Sequence, residues 1–174
     1  RDVELTYNDT SKVNFTAILE GISPIAFKSS NSSIVSVDSQ GNIVAAGAGS
    51  AKITIQFEGN ATHAESNATV TVTVRKVDST LTIDNVNLDY GNTANITATA
   101  EGAKGITAKI NNENLTVNNY TIQIPILDAG NYTLTVTTIP DANHNPTTKT
   151  ANITVNKIDS ALTIDNVVID YGKS

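Results

Sequence analysis

Apolar and polar residues alternate with a period of two along most of the chain. Val70, Val72 and Val74 alternate with threonines, and Leu134 and Val136 do the same in a later segment. Alternation of this kind, with many β-branched residues, is typical of strands that have one buried and one solvated face. No segment shows the 3.6-residue spacing of an amphipathic helix. The pattern therefore predicts an all-β protein built from antiparallel sheets.

Turn signals divide these segments into short strands. Clusters of Gly, Asn, Asp and Pro, which favour turns, lie at residues 39–42, 58–60, 101–105, 111–114, 128–131 and 140–146. About seven short strands in each stretch of roughly 80 residues is the pattern of an immunoglobulin-like sandwich. We therefore predict tandem immunoglobulin-like antiparallel β-sandwiches.

The chain contains an internal repeat. Residues 158–174 are identical to residues 77–93 at 11 of 17 positions, which gives a period of 158 − 77 = 81 residues. This period exceeds the roughly 20–50 residues of a solenoid unit and suits a complete small domain. We predict one domain at residues 1–76, a second at 77–157, and the first strand or strands of an incomplete third repeat at 158–174. Arg1 is not expected to be the natural start of the protein.

A tyrosine corner is predicted in the second unit. Asp128, Gly130 and Tyr132 have the Asp-x-Gly-x-Tyr form of this motif. In such a corner the tyrosine hydroxyl bonds to an upstream backbone group at the start of a late strand. The first unit has Ala51 at the tyrosine position, so no corner is expected there.

Two sets of motifs carry a family resemblance. Val37, Asp38 and Gly41 form a Val-Asp-x-x-Gly turn, and a Gly-x-Ala-x-Ile strand begins at Gly49. This segment resembles the bacterial immunoglobulin-like domain of group 2. The second unit, with the motifs YGNTANITAT, LDAGNYTLTV and PDANHNP, is similar to the related repeats of long cell-surface adhesins, although Pro140 and His144 depart from the usual turn of that family. The richness in Asn and Thr resembles adhesin-like proteins of methanogenic archaea. These resemblances imply an extracellular, non-catalytic stalk at a cell surface.

Charge and composition narrow the function classes. The chain of 174 residues has 11 basic and 17 acidic residues, a net charge of −6, and no Cys, Met or Trp. The basic residues are scattered, which argues against nucleic-acid binding because that requires clustered Lys and Arg. No stretch approaches the roughly 18 apolar residues of a membrane span. The core is expected to consist of Val, Ile, Leu and Ala.

Glycosylation sequons are the strongest chemical signal. The chain has 21 Asn and 25 Thr residues, and Asn-x-Ser/Thr occurs at Asn8, Asn14, Asn31, Asn60, Asn67, Asn95, Asn114, Asn119, Asn131 and Asn152. Five of these lie in the outward phase of predicted strands, where a glycan would meet water. The alternative is that they are the polar surface of an Asn- and Thr-rich sheet.

Metal and catalytic sites are not predicted. The carboxylates of Asp78 and of the segment 84–89 lie near the predicted domain junction and could bind Ca²⁺ there. Their spacing, however, matches no EF-hand loop. His63 and His144 occupy equivalent loops, and each is interpreted as a turn residue because a single His is no zinc site. No nucleophile–base arrangement or Gly-rich loop before a helix occurs. No cofactor and no enzyme activity are expected.

Three hypotheses remain for the function. The first is a stalk whose partners are other repeats of the same long chain, with contact to a host or neighbouring cell made elsewhere or weakly through many copies. The second is a self-assembling filament subunit in which residues 158–174 donate a strand to a neighbour. The third is a carbohydrate-binding module, which the few aromatic residues disfavour.

Overall fold

The computed structural model describes residues 2–13, 24–164, 171 and 172. All regular structure in these residues is β-strand, and no helix occurs among them. The strands of the N-terminal half are β1 (Val3–Thr6), β2 (Thr10–Lys12), β3 (Ala26–Ser29), β4 (Val35–Val37), β5 (Asn42–Ala45), β6 (Gly49–Phe57) and β7 (Ser66–Arg75).

The C-terminal half contains twelve further described strands. They are β8 (Val77–Asp78), β9 (Thr80–Thr82), β10 (Val86–Asp89), β11 (Ala94–Thr97), β12 (Thr99–Glu101), β13 (Ala103–Ile110), β14 (Glu113–Asn114), β15 (Val117–Asn118), β16 (Thr121–Ile124), β17 (Gly130–Pro140), β18 (His144–Asn145) and β19 (Thr148–Asn156).

Both halves pair their strands in the same order. In the N-terminal half one sheet runs β1-β7-β6-β3 and the other β2-β5-β4. In the C-terminal half the corresponding sheets run β10-β19-β17-β13-β14 and β11-β16-β15, and β9 pairs with β12. In each half an early strand pairs in parallel with the last strand, β1 with β7 and β10 with β19. The remaining pairs in these sheets are antiparallel.

The alternating pattern decides which faces are buried. In β19, Ala151, Ile153 and Val155 are buried, whereas Asn152 between them is exposed. The inward faces form two separate apolar clusters, one in each half. Their largest fully buried side chains are Val35, Ile43, Ile53 and Val72 in the N-terminal half and Ile122, Ile124, Leu134, Val136 and Ile153 in the C-terminal half. Two facing sheets enclose one apolar layer, with β3, β6 and β7 side by side in the N-terminal half and β13, β17 and β19 side by side in the C-terminal half. This is the immunoglobulin architecture. The chain is a tandem pair of immunoglobulin-like β-sandwiches, which confirms the predicted fold class.

The Val-Asp-x-x-Gly segment forms the hairpin between β4 and β5. Asp38 Oδ1 accepts hydrogen bonds from the backbone N–H groups of Gln40 and Asn42, each at 2.8 Å. Gly41 has φ of +78°, and a Cβ there would lie 3.0 Å from the ring of Phe27. A side chain at this position would therefore be strained and crowded.

One predicted turn is largely a strand. In the segment 101–105, only Gly102 separates β12 from β13, and its φ is +70°. A single residue with positive φ redirects the chain, and β13 continues through a register shift between Ala103 and Gly105. The predicted strand that includes Asn14 lies mostly outside the described residues.

Candidate functional site

The loop of residues 140–146, hereafter the Asn-His loop, lies between β17 and β19 and contacts the N-terminal half. Its strand β18 pairs in parallel with β8, so that His144 lies opposite Val77 and Asn145 opposite Asp78. The backbone N–H of Val77 also donates to the carbonyl of Asn143 at 3.2 Å. The segment that joins the halves is therefore held by hydrogen bonds to the C-terminal half as soon as it leaves β7.

Asn143 carries this contact across to the N-terminal half. Its side-chain oxygen accepts a hydrogen bond of 2.9 Å from the backbone N–H of Ala48, in a partly buried position. Ala48 directly precedes β6, where the chain re-enters the sheet of the N-terminal half. The bond joins residues 95 positions apart and fixes the loop against the end of the first sandwich.

His144 supplies a second contact between the halves. Its imidazole meets the ring of Tyr7 edge to face, with the centroids 5.4 Å apart and the planes at 75°. This geometry is favourable for aromatic pairs. The ring also lies over Gly102, where a Cβ would come within 2.3 Å of the imidazole, so no larger residue fits there without displacing His144.

Asp141 orients the imidazole. The Nδ1 of His144 donates to Asp141 Oδ1 at 2.6 Å, and the backbone N–H of Asn143 donates to the same oxygen at 2.8 Å. The hydrogen bond from His144 is the main cause that lowers the pKa of Asp141, and the bond from Asn143 adds to it. Asp141 therefore fixes both residues that face the N-terminal half.

The lowered pKa of Asp141 predicts a loss of this contact in acid. An aspartate whose pKa is lowered in the folded state stabilises that state above its unfolded pKa of about 3.9. The stabilisation is lost as the pH falls through the folded-state pKa, so the contact should loosen only below about pH 4. NMR titration of the Asp141 carboxyl carbon and of the Tyr7 ring protons measures this. An Asp141→Asn variant should lack the acid step, and an unchanged step in that variant would assign it to another group.

A buried hydroxyl network lies behind the Asn-His loop. Ser79 and Thr138 are the two buried polar residues among those described, with exposures of 4% and 2%. The hydroxyl of Thr138 donates to Ser79 Oγ at 3.2 Å and accepts from the backbone N–H of Thr147 at 2.8 Å. Ser79 Oγ donates to the carbonyl of Asn145, and Thr147 Oγ1 donates to the carbonyl of Ser79. These bonds tie the connecting segment to both ends of the loop.

Nine of the ten sequon asparagines are described, and all nine are exposed. They are Asn8, Asn31, Asn60, Asn67, Asn95, Asn114, Asn119, Asn131 and Asn152. Asn14 lies outside the described residues. Three of the nine have their amide oxygen engaged: Asn31 accepts from the Ser33 backbone N–H, Asn60 from Thr62 and His63, and Asn131 from Thr154. Exposure makes the sites accessible to a glycosylating enzyme, and their use remains a prediction.

The mass of the native protein tests the glycosylation prediction. If the sequons are used, the intact mass should fall on enzymatic or chemical deglycosylation, and peptide mapping should place the glycans on exposed asparagines. Asn131 and Asn60 should be occupied less than Asn67 and Asn152, because their side chains already hold hydrogen bonds. An unchanged mass would leave these residues as polar sheet surface.

The tyrosine-corner residues come together at the start of β17. The hydroxyl of Tyr132 donates to the carbonyl of Asp128 at 2.9 Å, and Gly130 is the first residue of the strand. Tyr132 is partly buried against the C-terminal core. The bond fastens the loop before β17 to the strand.

The carboxylates near the junction do not converge. Asn145 Nδ2 donates to Asp78 at 3.1 Å and Asn156 Nδ2 donates to Asp89 at 3.2 Å, while Asp84 is exposed. Within residues 2–13, 24–164, 171 and 172, no group of three or more His, Cys, Asp or Glu is arranged to hold a metal ion. The described part of the chain also contains no helix of the length and apolarity needed to cross a membrane.

The two histidines differ in their surroundings. His63 stays in its own loop, where its Nδ1 lies 2.9 Å from the hydroxyl of Thr62. His144 belongs to the short strand β18 and contacts the N-terminal half, so its interpretation as a simple turn residue was incomplete. Two sequence signals could have pointed to this contact between the halves. The first is the correspondence of Tyr7 with Tyr90 and Tyr171, and the second is Thr138 in the apolar phase of β17.

No protein-family model matches the chain, and no curated protein matches it. Solved structures of tandem modules do align with it. Immunoglobulin domains 1–5 of Sidekick-1 are 15% identical over 90% of this chain, with a TM-score of 0.40, and the chain spans 38% of that structure. The fibronectin(III)-like modules of Clostridium thermocellum CbhA are 16% identical over 94% of this chain and 95% of theirs, with a TM-score of 0.40. The titin domains Z1Z2, in a complex with telethonin, are 11% identical over 91% and 93%, with a TM-score of 0.45. Since these TM-scores are below 0.5, the fold assignment rests on the strand order and not on these alignments.

Proposed function

We propose that the chain is a non-catalytic spacer segment in the stalk of an extracellular, adhesin-like cell-surface protein. The observation that carries this proposal is the joint between the halves, formed by the Asn-His loop, the connecting strand β8 and the end of the N-terminal sandwich. A stalk has to hold its repeats in a fixed direction, and this joint supplies contacts from both sides of the connection.

The connection itself is too short to act as a flexible linker. Lys76 is the single residue between β7 and β8. Flexible linkers need many residues because their span grows only with the square root of their length. With Val77 paired to His144 and Ala48 bonded to Asn143, little rotation is left between the halves.

The outer sheet faces suit a solvated rod. Across β17 and β19 the outward positions pair Thr137 with Thr148, Thr135 with Thr150, and Thr133 with Asn152. Thr and Asn hydroxyls and amides bind water, and attached glycans on the exposed sequons would extend that shell. The partners of such a segment are the adjoining repeats, with contact to a host or neighbouring cell made elsewhere in the protein. The cell-surface and archaeal assignments rest on the sequence resemblances.

Distance measurements across the joint test this function. The chain has no cysteine, so Lys28→Cys and Lys109→Cys, both exposed strand residues, provide the two labelling sites. Double electron–electron resonance should give one narrow distance. Asn143→Ala should broaden it, because the Ala48 N–H then loses its acceptor at a cost of about 1–3 kcal/mol. Asn87→Ala, at an exposed asparagine of β10 outside the joint, is the matched control and should leave the distance narrow.

A broad distribution in the unsubstituted chain would reject the rigid stalk. Freely hinged halves would then favour a flexible tether instead, even though each sandwich remained folded.

A filament subunit is the second candidate, and one observation favours it. Leu162 is 99% exposed, whereas Leu81, its counterpart 81 residues earlier, is 6% exposed in the C-terminal core. A segment patterned for burial but left exposed could add to the sheet of another molecule. Light scattering of the purified chain distinguishes the candidates. A monomer at high concentration supports the spacer, whereas concentration-dependent growth abolished by Leu162→Asp supports strand donation.

A further inference from the structure

An open cavity of about 290 Å³ lies at the far end of the C-terminal half. Its lining residues are Tyr90, Ala129, Lys157 and Ile158. The cavity lies at the opposite end of this sandwich from the Asn-His loop, since Lys157 directly follows the last strand β19. It takes no part in the joint described above.

The lining residues are the counterparts of the residues that form the joint. The backbone N–H of Tyr7 donates to the carbonyl of Arg75 at 2.9 Å, and that of Tyr90 donates to the carbonyl of Asn156, also at 2.9 Å. Tyr7 and Tyr90 therefore occupy the same place after the strand that pairs in parallel with the last strand.

The other three positions correspond in the same way. Ala48 directly precedes Gly49, the first residue of β6, and Ala129 directly precedes Gly130, the first residue of the corresponding strand β17. Lys157 and Ile158 are the counterparts of Lys76 and Val77, since each lies one repeat period of 81 residues later in the chain. The C-terminal end of each half thus presents one tyrosine, one alanine and a Lys–apolar pair in the same arrangement.

Burial distinguishes the two copies of this arrangement. In the joint, Tyr7, Ala48 and Val77 are all partly buried, because the Asn-His loop covers them. At the far end Tyr90 is 45% exposed, Ile158 is 60% exposed and Ala129 is also exposed. The same surface is covered at one end and open at the other.

We propose that this cavity is the docking site for the Asn-His loop of a following repeat, the one that Ile158 begins. This inference rests on the proposed stalk function and names the contact that extends the stalk by one unit. The occupant would offer an amide oxygen to the Ala129 N–H, an imidazole edge to the ring of Tyr90, and a short strand to pair beside Ile158. Each of these contacts is present in the joint between the halves.

A second copy of this chain fits the cavity less well. In such a copy the loop that corresponds to the Asn-His loop is residues 58–65, in which Thr62 stands where Asn143 stands in the Asn-His loop. The hydroxyl of Thr62 already donates to Asn60 Oδ1 at 3.0 Å within its own loop. A threonine side chain is also shorter than asparagine and offers no amide oxygen.

An extended chain tests the docking site. Residues 158–174 repeat residues 77–93, so a copy of residues 94–157 is appended after Ser174 to complete a third sandwich. Spin labels at Lys109→Cys and at its appended copy report the second joint, and labels at Lys28→Cys and Lys109→Cys report the first. The expected result is one narrow distance at each joint. Tyr90→Ala should abolish only the second narrow distance, and Tyr7→Ala only the first.

The outcomes separate this proposal from the stalk proposal. A narrow first joint with a broad second joint, in a chain whose third sandwich is folded by NMR dispersion, would overturn the docking site and leave the stalk intact. A narrow second joint that survives Tyr90→Ala and replacement of the appended Asn143 by alanine would also overturn it. A broad distance at both joints would reject the stalk itself.

Discussion

Replacing Leu134 by alanine is expected to lower the free energy of unfolding of the C-terminal half by about 2–5 kcal/mol, with little effect on the N-terminal half. Leu134 is completely buried, and its neighbours in the cluster all belong to residues 81–155. Truncating a buried leucine removes its transfer free energy and leaves a cavity that the surrounding β-strands fill only in part.

The effect should be confined to one half because the apolar clusters are separate. Ile53 is completely buried in the N-terminal cluster, and Ile53→Ala should destabilise that half by a similar amount. Chemical denaturation followed by NMR, with resolved signals from each half, measures the two transitions separately. Leu134→Ala should shift only the transition of the C-terminal half, and Ile53→Ala only that of the N-terminal half.

Ile139→Ala is the control for Leu134→Ala. Ile139 lies on the same strand β17 but is 47% exposed, so its truncation should change the free energy by less than about 0.5 kcal/mol. If Leu134→Ala instead shifted both transitions equally, the halves would unfold as one cooperative unit. The predicted division into domains at residues 1–76 and 77–157 would then be wrong.

The second large effect is expected for Thr138→Val, at about 1–3 kcal/mol of stability in the C-terminal half. Valine has nearly the same shape, so the packing is kept while the hydroxyl is lost. Ser79 Oγ then loses a hydrogen-bond partner, and the backbone N–H of Thr147 loses its acceptor. Buried polar groups without a partner are costly because they are also removed from water.

Hydrogen exchange and a paired variant test the origin of this effect. The Thr147 amide should exchange faster in Thr138→Val, because its N–H is no longer held. Thr137→Val is the matched control: its hydroxyl contacts Thr148 on the exposed face, so its loss should cost less than about 0.5 kcal/mol. Adding Ser79→Ala to Thr138→Val should cost less than the sum of the single changes, because the two hydroxyls are partners. Strict additivity would show that the network is not the cause.

The sequence alone determined the fold class and the inward and outward faces of the alternating strands. Period-two alternation decides which face of a strand is apolar, and without a predicted helix a second sheet has to cover that face, so β6, β7, β17 and β19 were predictable as core strands. The 81-residue period indicated two similar units because a repeat in sequence reproduces the same local preferences. Turn residues with special backbone requirements, such as Gly41, were also readable from the sequence.

The joint could be recognised only in the tertiary structure. Asn143 and Ala48 are 95 residues apart, and nothing in either local sequence shows that one accepts a hydrogen bond from the other. His144 appeared as an isolated turn residue because its partner Tyr7 belongs to the other half. Polar contacts between distant segments depend on how two rigid sandwiches meet, whereas alternation and turn chemistry act within a few residues. The repeat was therefore visible in the sequence, but the surface that couples one repeat to the next required the folded chain.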